Sequence, residues 1–235
     1  MSVWKAKRFW KEAVPTAADG GYSVLLDGRP VRTPAKAPLV VPTLALAEAI
    51  AEEWQAQEGE IDPRNMPLTR SANSAIDKVR PQFDEVAAML ASYGETDLVC
   101  YRATGPAPLV ARQADAWDPL LKWMHGQGVA LHQARGIVHV PQPAESIALL
   151  RKRVFVLSEF ELAALHDLVA ISGSLVIGLA AMEGWAEGEA LWSLSRVDED
   201  YQEELWGRDE EAAEAAELKR QDFLQALRFL ALLRA

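Results

Sequence analysis

The chain has 235 residues, half of them hydrophobic and a quarter charged, with a formal net charge of −10. That length buries about three quarters of the unfolded surface, in one large domain or two small ones. The charge distribution excludes a duplex-binding protein: the one basic cluster, Lys5, Lys7, Arg8 and Lys11, is too small to make the stripe such a protein needs.

The opening residues, MSVWKAKRFW, lack an apolar run, so no secretory signal is expected. The next segment reads as β. In GYSVLLDGRPVRTP two short apolar runs flank Asp27-Gly28, a hairpin turn signal. RFWKEAV before it and APLVVP after it are predicted as further short strands, and Pro30, Pro34, Pro38 and Pro42 punctuate the edges.

After Pro42 the period changes. Thr43 is a candidate N-cap, Ala47, Ile50, Ala51 and Trp54 recur at helical spacing, and Gly59 closes the segment. Further helices are predicted over 67–78, 81–93, 107–125, 143–156, 159–182, 186–206 and 209–233. A short strand is expected near DLVCY, where Cys100, the only cysteine, reads as a buried small hydrophobe. A β-hairpin is expected in GVALHQARGIVHVP, residues 128–141. The uncharged run from Leu168 to Met182 is 15 residues, short for a membrane span, and reads as a buried helix. Gly173 and Gly178 within it suit close helix packing. The fold class is therefore α+β: a small β-rich N-terminal domain with the first helix, residues 1–60, then a larger, mainly helical domain, residues 61–235.

Little in the chain is built for cofactor or metal chemistry. His125, His132 and His139 are seven apart, but Gly126, Gly128 and Gly136 interrupt them and no cysteine completes a site. The sequence has no P-loop and no βαβ alternation, and SGSLVIG is not a nucleophile elbow. Neither a metal nor a cofactor is expected.

What stands out is charge. VDEDYQEELWGRDEEA, Val197 to Ala212, packs eight carboxylates against one base, Arg208. On a helix, Leu194, Val197, Tyr201 and Leu205 form an apolar stripe. Asp198, Gln202 and Trp206 form its neighbour. Gly207 is a helix stop, and the following helix is acidic first and basic last, as its dipole favours. Glu210 and Glu211 are explained that way, and Glu203 and Glu204 read as solvation. Asp198 is placed mid-helix and left without a structural reason. Three uses are open: a hydrolytic site built from carboxylates 198–211, a generic acidic interaction module, or a surface for one protein partner, with Trp206 as anchor and polar groups for specificity.

Taken in order, RFWK, GYSVLLDGRPVRTP, LALAEAIAEEWQAQ, IDPRNMPLTRSANSAID, ASYGETDLVCYRA, WDPLLKW and VDEDYQEELWGRDEEA cover nearly the whole chain. This series resembles the assembly chaperones that attend the alpha subunit of the ATP synthase catalytic sector in mitochondria and alphaproteobacteria. The resemblance implies a non-enzymatic chaperone with a β-rich N-terminal and a helical C-terminal domain; a monomer is expected. Its implied task is to bind the unassembled alpha subunit and hold it from aggregation until the beta subunit takes its place. It also implies that Asp198 occupies the position of the family's functional acid, glutamate in many relatives, with Glu199, Gln202 and Trp206 beside it in the partner-binding set. Trp54 matches the family's E-W-x-x-Q tryptophan and is either structural or partner-binding. The start of the chain and its Ala/Arg-rich usage lead to an expectation of the bacterial cytoplasm, with the mitochondrial matrix for eukaryotic relatives, and no membrane insertion is expected.

Overall fold

The computed structural model describes residues 7–235. Lys5 of the basic cluster lies outside the described residues. The chain forms two compact units. One runs to Phe83 and takes in Ser158–Ala164 and Arg228–Ala235; the other comprises Asp84–Leu157 and Leu165–Leu227. The boundary expected at residue 60 falls inside the first unit.

In the first unit, β1 (Ala13–Ala18), β2 (Gly21–Leu26) and β3 (Arg29–Pro30) form an antiparallel sheet in that order. The β2–β3 turn has positive φ at both Asp27 (47°) and Gly28 (80°), as a type I′ turn requires. Asp27 also accepts from the backbone N–H groups of Glu12 and Lys11, which holds its carboxyl below the usual range. APLVVP makes only isolated bridges, Tyr22 to Val41 and Arg32 to Pro38, rather than a strand. Its prolines cannot donate to a ladder. RFWKEAV enters the sheet only from Ala13 onward.

Helix α1 (Leu44–Gln55) packs on β1 and β2 with Leu46, Ala47, Ile50 and Ala51 buried. Thr43 caps it as expected, Oγ1 accepting from Leu46 N at 3.2 Å and donating to Leu232 O at 2.6 Å. Next come α2 (Pro67–Ser74), a π-helical turn at Ala75–Val79, a 3-10 turn at Arg80–Gln82 and α3 (Phe83–Ser92). The widened turn sits immediately before Pro81, whose ring and missing N–H disfavour a regular ladder there.

The second unit is helical: α3 beyond Phe83, α4 (Ala107–Gly126), α5 (Ala144–Phe155), most of α6 (Glu159–Ser172), α7 (Leu175–Met182), α8 (Gly188–Leu194), α9 (Val197–Trp206) and most of α10 (Glu210–Leu232). Every residue of α7 is buried. No helix among the described residues is long and apolar enough to cross a membrane.

Three expectations are corrected here. The helix predicted over 159–182 breaks at Gly173, whose φ is +73°, and Ser174 restarts it as α7 by accepting from Ile177 N at 3.0 Å. Gly178, by contrast, does serve packing: a Cβ there would meet Leu165 and Val169 at 2.9 Å. The helix predicted over 186–206 also breaks, into α8 and α9. Ser195 Oγ donates to Trp192 O and Trp117 Nε1 donates to Leu194 O, each at 2.7 Å, so side chains take carbonyls a continuous helix would use. Residues 128–141 form no hairpin. Ala134–Arg135 (β5) pairs in parallel with Tyr101–Arg102 (β4). The Gln142 side chain grips the backbone of His132 from both sides, at 2.7 and 3.0 Å.

Candidate functional site

Because α9 starts at Val197, Asp198 lies in its first turn and not mid-helix as the sequence reading had it. A carboxylate there faces the positive end of the helix dipole. Arg196, the N-cap, offers no side-chain cap, so Asp198, Glu199 and Asp200 supply the negative charge the terminus favours. Asp198 Oδ1 accepts from Gln113 Nε2 at 2.6 Å. Gln113 is 1% exposed, and its Oε1 accepts from Ala103 N at 2.8 Å. A buried amide on α4 thus connects the backbone after β4 to the start of α9.

A second connection joins α4 to α9. Arg112, beside Gln113 on α4, forms a two-pronged ion pair with Glu204 at 2.8 and 2.7 Å. Its guanidinium also lies over the Tyr201 ring, 5.3 Å from the centroid. This pair lowers the Glu204 carboxyl from its ordinary range, so Glu204 does more than solvate the helix. Nothing in the local sequence pairs two residues so far apart. The signal that did exist is the run Asp198, Glu199, Asp200 just after Ser195, which has the composition of a helix start.

The remaining face of α9 is open. Val197 is buried and Tyr201 half-buried, but Leu205 is 57% and Trp206 78% exposed, while Leu194 belongs to α8. The apolar stripe therefore fades toward the helix end. Glu199, Gln202 and Trp206 line a groove of about 720 Å³ shared with Gly207–Asp209 and the first turns of α10. Gly207 stops α9 with φ 91°, and Asp209 Oδ1 caps α10 by accepting from Glu211 N and Ala212 N. Arg196 balances Glu199 at 3.4 Å and Asp200 at 3.7 Å. Partial burial first, then Glu199, Glu203 and Glu204, raise the Asp200 carboxyl against that pull.

Of the predicted set, then, Glu199, Gln202 and Trp206 share one groove. Asp198 sits on the same helix but turns to Gln113 on α4. Trp54 belongs to the first unit, edge-on to Trp10 with centroids 5.2 Å apart and its Nε1 buried with no hydrogen-bond partner among the described residues. That geometry makes Trp54→Ala a packing lesion: the melting temperature falls, with a loss of about 2 kcal/mol for a half-buried indole. An unaltered melting temperature would show that the ring contributes little to packing.

The sequence model of the ATP12 chaperone protein family matches residues 7–125. The mitochondrial protein atp12 of Schizosaccharomyces pombe is 26% identical over 221 residues, 88% of this chain and 76% of its own. The crystal structure of Atp12 from Paracoccus denitrificans is similar at a TM-score of 0.95 and 51% identity, over 97% of this chain and 98% of that one. A chaperone-type protein from Agrobacterium tumefaciens gives a TM-score of 0.92 at 40% identity, over 97% of this chain and 86% of its own. Family match, sequence kinship and shared fold agree, and the chain belongs to the ATP12 chaperone family.

Proposed function

We propose that this chain is an ATP synthase assembly chaperone that binds the unassembled alpha subunit and covers its exposed surface until the beta subunit replaces it. It acts as a monomer in a bacterial cytoplasm. Family membership supports the chaperone role. The single observation that carries the docking assignment is α9 itself, a helix held on α4 by Gln113 and Arg112 that turns Glu199, Gln202 and Trp206 outward. An exposed tryptophan ringed by polar groups is suited to a protein partner. Covering aggregation-prone surface stabilises the bound subunit by mass action. The acidic surround speeds encounter with a basic partner and adds specificity more than affinity.

The hydrolytic reading needs a desolvated acid beside a second carboxylate in a cleft. The carboxylates from Glu199 to Glu211 instead lie exposed. Among the described residues, the one fully buried carboxylate with a strongly raised pKa, Asp97, spends both oxygens on bonds within the fold.

Immobilised full-length chain exposed to cell lysate tests the proposal, with the alpha subunit as the main species retained. Retention of many acidic-surface binders without enrichment of the alpha subunit would leave only a generic interaction module. Asp198→Lys places an ammonium against the Gln113 amide donor and reverses the charge. Its expected effect is about tenfold weaker capture of the alpha subunit. Asp198→Asn keeps an acceptor for Gln113 and removes only charge. Full capture by both variants would take Asp198 out of the docking surface.

A further inference from the structure

The groove beside α9 has a second wall on α10. The first turns of α10 line it with Ala212, Ala213, Ala215 and Ala216. Residues 210–222 of α10 are exposed or half-exposed throughout, whereas Phe223, Ala226, Phe229 and Leu230 of the same helix are buried. About 20 Å of helix, at 1.5 Å per residue, therefore presents exposed Ala212 and Ala215 beside half-buried Ala213 and Ala216. Methyl groups set no steric limit on close approach, so another helix can lie near the shortest interaxial distances, about 8 Å.

The groove also selects by charge. Arg196 to Lys219 carries ten acidic residues and three basic, although the groove's own lining sets Glu199, Glu203 and Asp209 against Arg196, Arg208 and Lys219. Arg196 is engaged by Glu199 and Asp200, and Arg208 by Glu210. Glu203 lines the groove and makes no ion pair among the described residues. Backbone chemistry narrows the occupant further. The lining residues belong to α9 with its N-cap Arg196, α10 and the turn between them, with no strand edge among them to pair with. An extended segment would leave its own N–H and C=O groups unsatisfied there; a helix satisfies them internally. The 10 residues of α9 span about 15 Å, close to three helical turns.

We propose that this groove takes one three-turn basic amphipathic helix of the alpha subunit, its apolar face on the α10 alanines and Trp206, with a Lys or Arg on Glu203. The identity of the partner rests on the function proposed above; the shape and charge of the segment rest on the groove.

Ala212→Phe and Ala215→Phe each fill the groove from an exposed position and leave the core untouched. Glu203→Lys leaves the alanine wall intact and reverses the contact charge. Each full-length variant is compared with the unaltered chain for affinity to isolated alpha subunit, and the bound subunit is mapped by hydrogen exchange. The expected result is about tenfold weaker binding for each variant, with the melting temperature unchanged. The protected alpha-subunit segment is expected to be helical and to carry Lys or Arg. Unaltered affinity in all three variants overturns the groove while the proposed function stands. Weakening by the phenylalanines alone overturns the contact to Glu203. Protection of an acidic or strand segment overturns the occupant. If the unaltered chain retains no alpha subunit, the proposed function falls, and the named partner falls with it.

Discussion

Asp97→Ala lowers stability by about 3–5 kcal/mol, among the largest losses expected from a single side chain here. Asp97 is fully buried. Its Oδ1 accepts from Ser174 Oγ at 2.6 Å and Val99 N at 3.2 Å, and its Oδ2 accepts from Val176 N at 3.0 Å. One carboxylate thus caps both the 3-10 turn at Leu98–Cys100 and the start of α7. Alanine would leave two backbone donors and a hydroxyl buried without partners, and α7 carries much of the core of its unit. The measurement is a thermal or urea melt, with a fall in melting temperature of roughly 6–20 °C. Asp97→Asn is the informative companion. It can keep the Oδ1 bonds but turns an amide N–H₂ toward Val176 N, donor against donor, so a smaller loss is expected. Equal stability of the alanine variant and the unaltered chain would refute the capping role.

The same carboxyl gives a pH dependence with a definite sign. Burial pushes it from 3.8 up to about 6, against the bonds it accepts. Between those values the folded chain holds a proton that the unfolded chain has released. Acidification from pH 7 through 6 toward 4 therefore adds stability through this group, opposite to a salt-bridged aspartate. Asp97→Asn removes that component. Subtracting the variant's melting profile from that of the unaltered chain isolates it, and a difference that does not move over pH 4–7 would reject it.

Trp117→Ala is expected to cost about 3–5 kcal/mol as well, from the cavity left by an indole. Trp117 is 1% exposed. It donates to Leu194 O and receives the Arg102 guanidinium 5.0 Å from its ring centroid. Arg102 is itself buried, paired with Asp118 at 2.8 Å and donating to Val99 O. Removing the ring withdraws a partner from the carbonyl at the α8–α9 break and unsettles a buried cation. Alpha-subunit capture should fall with stability, because the start of α9 is set at that break. Trp117→Phe keeps most of the apolar volume and loses the N–H, for about 1 kcal/mol. If the phenylalanine variant matched the alanine variant in stability, the hydrogen bond rather than the volume would be the main contribution.

What could be read from the sequence was local. The turn at Asp27-Gly28, the N-cap bond of Thr43 and the helix stop at Gly207 each act through their own backbone or a neighbour within four residues, and each does what its chemistry predicts. Glu210 and Glu211 stand in the first turn of α10 as its dipole favours, but the last turn holds no basic residue, so the basic-last half of that expectation is not met. What could not be read depends on residues far apart in the chain. The break at Gly173–Ser174 is secured by Asp97, and the break at Ser195–Arg196 by Trp117. Helical periodicity runs through both without a mark. Residues 128–141 have the alternation of a hairpin, but the Gln142 side chain takes the His132 backbone that hairpin pairing would use. At the candidate site, the acidic helix and its exposed tryptophan were visible as composition. Its attachment through Gln113 and Arg112 was not, because neither residue carries a local sign of the partner it meets on α9.

Cys100 offers a practical consequence. It is the only sulfhydryl in the sequence, fully buried, with its thiol pushed up to about 12 by burial and by the nearby Asp97 charge. At neutral pH it supplies almost no thiolate, so maleimides and spin-label reagents find nothing to attack on the folded chain. A cysteine introduced at any exposed position becomes the single reactive handle without first deleting the native one. Pairs of such handles, one in each compact unit, would make the spacing between the units a directly measurable distance with and without bound partner.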